Sequence, residues 1–491
     1  MNRKILKRSK YANASAIESG RKKRGKGGKT NNAPESVLDT VWETCGNDFA
    51  AGGQHLFEQL VLGQGQVKST QFFDEYYERK ALFMPNTKPS ANPFTMLLTS
   101  KELEEMLDSG KLCTQTCTVS KFTEEGGRVN KPYSTQTWNG LFNREKYSVR
   151  LTRPTQVSDT LFKLHSLLEA YFANVTCGMN VYWTPTDSQG FAPHYDDVDV
   201  YILQLEGTKL WTVYESDGSD LFPLLPTTSS LDFHPDELTK LPSTQYELKP
   251  GDVLYLPRGF IHQASAMENT KHSLHITIST SFMTKGQLLQ RAVTKLVEQA
   301  QARSVDLRRT VPRRIVSEFG LQFMDEESLK PKREQFQLEM LQILKKTVSL
   351  AEVDLDSALD ELMGEWLHGR QGPQLEEEDE DNQDSIQLKM DSELEIKVLG
   401  SARISVENGL AVLRHCMKNT RVFQEVDPRG LEFDLDDGPV LQAVLESQGP
   451  FEVKSLPSVL CQPGEQEEEF GGRVRVLQAM LSEGILRVVK L

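Results

Sequence analysis

In the stretch GFAPHYDDVDV, residues 190–200, one histidine and three aspartates stand directly before an apolar run. His194 and Asp196 are two positions apart, and in an extended segment that spacing turns both side chains to one face. An imidazole and a carboxylate converging there make two-thirds of a two-His-one-carboxylate triad, which leaves adjacent positions on Fe(II) open for a cosubstrate and O₂. Asp197 and Asp199 point elsewhere or play supporting parts. The third ligand is expected from a histidine on a distant strand of the same barrel. His262, 68 residues on at the end of PRGFIHQ, fits that place. No thiolate joins the constellation, which argues against a structural zinc.

An oxygenase using 2-oxoglutarate also needs a cation for the far carboxylate of its cosubstrate. Lys209 in LQLEGTKLW, 15 residues after His194 and just past a turn, is the residue placed to supply it. A histidine and aspartate at this spacing are common on acidic surface loops. Followed by a β-rich run and a downstream strand, turn and histidine, they are far more specific.

The surrounding sequence predicts the elements that would hold these groups. Between about 178 and 284, the runs GMNVYWT, VDVYILQLEG, KLWTVYE, TQYELKPGDVLYLP and HSLHITISTS are separated by Gly, Pro and Asp turn signals. Many short strands at that spacing indicate a sandwich or barrel. Upstream, SVLDTVW, HLFEQLVLG and TQFFDEYYERKALFM carry apolar residues at helical spacing. Downstream, GQLLQRAVTKLVEQAQARSVDLRR and REQFQLEMLQILKKTVSLAEV are amphipathic helices, open to packing on the barrel or on a second subunit. LEEEDEDNQD is an acidic low-complexity linker. PVLQAVLESQGP, VKSLPSV and RVRVLQAMLSEGILRVVKL then read as helix, turn, helix and terminal strand, much like a winged helix.

At 491 residues the chain is long enough for two to four domains. No run approaches the roughly 18 apolar residues needed to cross a bilayer, so a soluble chain without membrane contact is expected. Six scattered cysteines fit a reducing compartment, and the close pair Cys113 and Cys117 lacks the second pair a zinc site would need. The net charge of −14 hides an asymmetry, because residues 1–30 carry eleven Lys and Arg against the single acid Glu18. That head reads as a nuclear or nucleolar address on an acidic body. Residues 439–491 hold five basic and seven acidic side chains, so the terminal unit is expected to pack on protein and not to bind DNA sequence-specifically.

NVYWTPTDSQGFAPHYDDVDVYILQLEGTKLW, GDVLYLPRGFIHQA and HSLHITIST together closely resemble the JmjC-domain ribosomal oxygenases. The resemblance implies an α+β fold with a double-stranded β-helix (JmjC/cupin-like) core, a helical dimerisation region and a C-terminal winged-helix-like domain. The corresponding divisions are a basic disordered tail (1–34), an oxygenase domain (35–284), helices of a homodimer (285–372), an acidic linker (373–386) and the terminal domain (387–491). It implies Fe(II), 2-oxoglutarate and O₂, with His194, Asp196 and His262 as iron ligands and Lys209 as carboxylate clamp. Asn180, Tyr182, His275, Thr277 and Ser279 match pocket positions of the family. The activity implied is hydroxylation of a histidine on a ribosomal protein, in the nucleus or nucleolus. Two alternatives stand beside it: demethylation of histone H3 lysine by the same chemistry, and a non-catalytic chromatin or ribosome-assembly adaptor. The stretch SFMTKGQLL and residues 110–130 depart from the family pattern, which bears on the target protein more than on the chemistry.

Overall fold

The computed structural model describes residues 36–491 except 89–90, 124, 126, 174, 216–224, 226–227, 229–230, 269, 351–353, 374–385, 423, 429 and 458–465. The expected basic tail and most of the expected acidic linker lie outside the described residues. Two antiparallel sheets form the heart of the chain. The larger runs in the order β1 (Leu82–Met84), β11 (Val253–Leu256), β7 (Asp199–Glu206), β13 (His272–Phe282), β5 (Val175–Pro185), β4 (Ser148–Thr152), β2 (Cys117–Thr123) and β3 (Gly127–Pro132). The smaller runs β10 (Ser243–Leu248), β8 (Lys209–Tyr214), β12 (Ile261–Ala266), β6 (His194–Tyr195) and β9 (Leu231–Asp232). Helices accompany these two antiparallel sheets, the arrangement expected of a cupin-like core.

β7, DVYILQLE, shows why the chain folds this way. Val200 and Ile202, with Leu254 and Leu256 of the adjacent β11, turn toward the second sheet and pack with its Trp211, Val213 and Leu248. Tyr201, Leu203 and Leu205 turn the other way, into the core shared with the helices. A strand covered on both faces must be apolar at consecutive positions, and β7 is buried from Asp199 through Leu205. On that side Phe57, Phe72 and Phe172 pack on Tyr201, the last from the helix Asp159–Phe172, whose start Ser158 caps by accepting from the Leu161 amide. Truncating a core side chain such as Leu254 to alanine should cost about 2–5 kcal/mol.

The sheets extend beyond the β-rich stretch seen in the sequence. β1 comes from ALFM, inside a segment with helical periodicity, and β2 to β4 come from residues 117–152. These strands are short or lie toward one edge, where pairing partners far along the chain outweigh weak local signals.

After the barrel come the helices Lys285–Arg303, Lys330–Leu350 and Leu355–Gly369. The first begins with a capping box between Thr284 and Gln287. Leu289, Val293, Leu338, Leu341, Leu344 and Val348 are exposed along the first two. The C-terminal part has its own core, from Leu394 and Ile396 to Leu477, Met480 and Leu486. In it the helices Gly438–Glu446 and Gln466–Ser482 accompany two three-stranded sheets, one of which includes the last strand, Leu486–Lys490. No helix among the described residues is long and apolar enough to cross a membrane.

Candidate metal centre

β6 is only two residues long, and its His194 lies directly opposite His262 of β12. Cross-strand neighbours sit close, and the two imidazole centroids are 4.5 Å apart. Asp196 follows just beyond the end of β6, with a carboxylate oxygen 3.9 Å from His194 Nε2 and the other 3.7 Å from His262 Nε2. One ligand atom from each of the three lies within 4.8 Å of the other two.

The tautomers are set from behind. His194 Nδ1 is 2.7 Å from the Ala192 carbonyl oxygen, and His262 Nδ1 is 3.0 Å from that of Phe260. A carbonyl can only accept, so each Nδ1 carries a proton and each Nε2 is the nitrogen left to face the centre as a ligand atom. Burial, reinforced by neighbouring His194, holds His262 below the ordinary histidine range and keeps it neutral.

The three residues open into a narrow cleft, lined also by Tyr182, Phe191, Lys209, Trp211, His275 and Thr277. The β7–β8 turn delivers Lys209. Gly207 there has φ +65°, and a Cβ on it would collide with the His272 carbonyl oxygen, so the turn needs glycine. Lys209 is 5% exposed, and its Nζ donates to Thr184 Oγ1 at 3.1 Å. No acidic side chain pairs with it among the described residues, and burial alone lowers its amine to about 7.

His275 stacks on Tyr182 at 4.9 Å and meets the edge of Trp211 at 5.5 Å. Burial and then the charge of Lys209 push it well below its usual range. Its Nδ1 and the Trp211 Nε1 are buried without a hydrogen-bond partner.

The structure therefore brings together seven of the nine expected residues: His194, Asp196, His262, Lys209, Tyr182, His275 and Thr277. Asn180 and Ser279 sit on neighbouring strands further along the same sheet, opposite Thr277 and Gly178 respectively, outside the cleft lining. Trp211, Phe191 and Thr184 are lining or supporting groups that the sequence did not single out. Arg128 stacks on Phe191 at 4.2 Å, and Arg150 is 5.6 Å from the same ring. Trp211, two positions beyond Lys209 on β8, could have been found from alternation alone.

The JmjC domain profile matches residues 150–288, which include every residue of the triad and Lys209. The bifunctional lysine-specific demethylase and histidyl-hydroxylase NO66 of Dictyostelium discoideum is 30% identical over 460 residues, covering 90% of this chain and 85% of that protein. The chain belongs to the JmjC-domain ribosomal oxygenase family. Ribosomal oxygenase 1 of Bos taurus is 34% identical over 332 residues, 63% of this chain and 48% of its own length. The ribosomal oxygenase YcfD of Escherichia coli, solved with cobalt and 2-oxoglutarate, aligns over 86% of this chain at a TM-score of 0.43 and 15% identity, too loose a likeness to carry an argument.

A JmjC oxygenase works with Fe(II), 2-oxoglutarate and O₂, and the residues present fit that set. Two imidazole nitrogens and one carboxylate make the donor set for Fe(II) with open positions. The buried, acid-free amine of Lys209 suits a carboxylate, and the unpartnered polar atoms beside it suit a polar guest.

Proposed function

We propose that the chain hydroxylates a histidine side chain of a ribosomal protein, with His194, Asp196 and His262 holding Fe(II). The observation that carries this reading is the convergence of both Nε2 atoms and the Asp196 carboxylate in a cleft that also holds the buried amine of Lys209. Bound there, the iron and 2-oxoglutarate together activate O₂ and insert one oxygen atom into a substrate C–H bond, leaving succinate and CO₂.

The chain's own residues do the positioning. The Ala192 and Phe260 carbonyls fix the ligand imidazoles in one tautomer and orientation. The Lys209 ammonium, steered by the Thr184 hydroxyl, anchors the far carboxylate of the cosubstrate. Trp211, Tyr182 and stacked His275 wall the cleft and exclude water.

The same lining favours a neutral ring over a methylated lysine. Asp196 is the one carboxylate among the described lining residues, and a bound Fe(II) would occupy it. Arg150 and Arg128, the latter paired with Asp232 at 3.9 Å, lie on Phe191, and the Lys209 amine lies in the same cleft, so a cationic ammonium finds basic groups and no carboxylate in the lining beyond Asp196. Histone H3 demethylation is therefore the second reading.

Exposed Leu289, Val293, Leu338, Leu341, Leu344 and Val348 support a homodimer interface within 285–372. The helix, turn, helix and strand at the C-terminus support a winged-helix-like domain within 387–491. The basic head of the sequence supports a nuclear or nucleolar location.

The test is mass spectrometry after incubation with Fe(II), 2-oxoglutarate and two peptide sets. One oxygen gained on a histidine of ribosomal-protein peptides, abolished by His194→Ala, is the expected result. Loss of methyl groups from H3 peptides with histidine untouched would favour the second reading, and turnover surviving His194→Ala would end both.

A further inference from the structure

Two loops deliver the three ligands. One carries His194 and Asp196 into β7; the other, residues 257–260, leads into His262. Their backbones meet where the Gly259 amide donates to the Asp196 carbonyl oxygen at 2.9 Å, with Gly259 at φ +87°.

Behind this contact lies a closed ring of side chains. Asp199, three residues after Asp196, is wholly buried. Its Oδ1 accepts from the Tyr255 hydroxyl at 2.7 Å and its Oδ2 from Arg258 Nη1 at 3.1 Å. Arg258, four residues before His262, reaches with Nη2 to Glu78 Oε1 at 2.5 Å. The Glu78 amide donates back to the Tyr255 hydroxyl at 3.0 Å and closes the ring. Glu78 holds a left-handed backbone, φ +58°, a conformation that non-glycine residues keep only where their surroundings enforce it.

The ring joins three parts of the chain that are remote in sequence: the segment after the helix Ser69–Glu75, the start of β7, and the turn between β11 and β12. A buried ion pair adds little net stability over apolar side chains of equal size, because desolvation cancels most of the attraction. Its forked geometry does fix two backbones relative to each other. Here the two backbones are those bearing Asp196 and His262.

We propose that Asp199 and Arg258 are positioning residues for the metal centre, a brace that sets the distance between the Asp196 and His262 loops. The proposal rests on His194, Asp196 and His262 being the ligands. Without the brace the loops keep the Gly259 contact, the Val200–Leu256 end of the β7–β11 ladder and the short pairing of β6 with β12. They lose the side-chain tie beyond the end of that ladder, so the ligands arrive less well arranged and the metal must complete their ordering on binding.

The full chain, stripped of metal, is titrated with Mn(II) by calorimetry and with Co(II) by visible absorption, with the melting temperature of each metal-free variant recorded alongside. Asp199→Asn sets an amide hydrogen against Arg258, and Arg258→Lys keeps the charge but loses the fork. Each should weaken Mn(II) binding about 10- to 100-fold and alter the Co(II) absorption envelope, while metal-free melting moves little. Glu78→Gln, at the half-exposed rim of the ring, should shift affinity the same way by a smaller factor, and it decides the matter if the other two variants do not fold. Wild-type Mn(II) affinity and Co(II) spectrum in the folded variants would overturn the brace. A wild-type chain that binds neither metal would instead overturn the ligand assignment itself, and the brace with it.

Discussion

The cleft of the barrel and the helices that follow it break the usual burial rule in opposite senses. In the cleft a lysine amine and the Nδ1 of His275 are buried with no acid beside them among the described residues. Along Lys285–Arg303 and Lys330–Leu350, leucines and valines stand in solvent. Both arrangements cost free energy in the isolated chain, since buried polar groups want partners and large apolar patches want cover. The difference between them teaches what each place accepts. A hidden cation among polar atoms accepts a small anion, whereas a stripe of aliphatic side chains accepts another apolar protein face.

Lys209→Met breaks the comparison most sharply. Truncating one partner of a buried charge pair costs about 2–5 kcal/mol, so the KM for 2-oxoglutarate should rise roughly 30- to several-thousandfold. The metal-free chain should nevertheless melt higher, because the variant no longer buries an unpaired amine. The folded amine sits near 7 against 10.5 unfolded, so its penalty is complete below about 7 and is relieved as pH climbs toward 10.5. The gain in melting temperature should shrink across that window. A Lys209→Met protein with unchanged KM and lower melting would mark the residue as an ordinary hairpin lysine.

On the helices, Leu338→Glu with Leu341→Glu should weaken self-association by at least about 2 kcal/mol, read by analytical ultracentrifugation. Catalytic cleft geometry should be untouched in that variant, as metal affinity would report. A dimer of wild-type strength would show that the apolar stripe serves another partner.

Metal removal acts on the barrel alone. Saturation at about 100 times Kd stabilises by about 2.7 kcal/mol, so a chelator should lower the melting temperature by that equivalent. The Leu338→Glu, Leu341→Glu protein should show the same decrement. The smallest effect is a proton. Because Lys209 is largely neutral above about 7, its pairing with a carboxylate at about pH 8 should take up a proton, seen as a buffer-dependent heat of 2-oxoglutarate binding. A buffer-independent heat would mean that the amine is already charged in the free cleft.

His194, Asp196, His262 and Lys209 were legible in the sequence because each sits in a short local pattern: a two-residue spacing, a strand after a turn, a residue past a glycine. The barrel strands after residue 178 were legible for the same reason. Arg128, Arg150 and Thr184 were not, because they are brought there through pairings among β2, β3, β4 and β5, and Phe191, in the loop three residues before His194, carries no ligand chemistry to mark it. Asp199 shared the acidic run with Asp196, yet its carboxylate faces Tyr255 and Arg258, away from the metal ligands. That it turns away was expected from the sequence; which side chains it meets becomes visible only with β11 and the turn after it placed beside β7. β1 was hidden in a helix-like stretch because three residues are too few to display a period.

β6 has a bearing on how this barrel comes apart. It is two residues long, held by single-residue pairing to β12 on one side and by two pairs to β9 on the other. The rest of the fold clasps itself with far longer ladders, β13 against β5 over eleven residues. Amide hydrogens around residues 192–198 should thus exchange with solvent through small local openings long before those of β5 and β13. A bound ion at His194 and His262 would act as a rivet through that weakest seam, so the catalytic metal would also decide which part of the barrel breathes first.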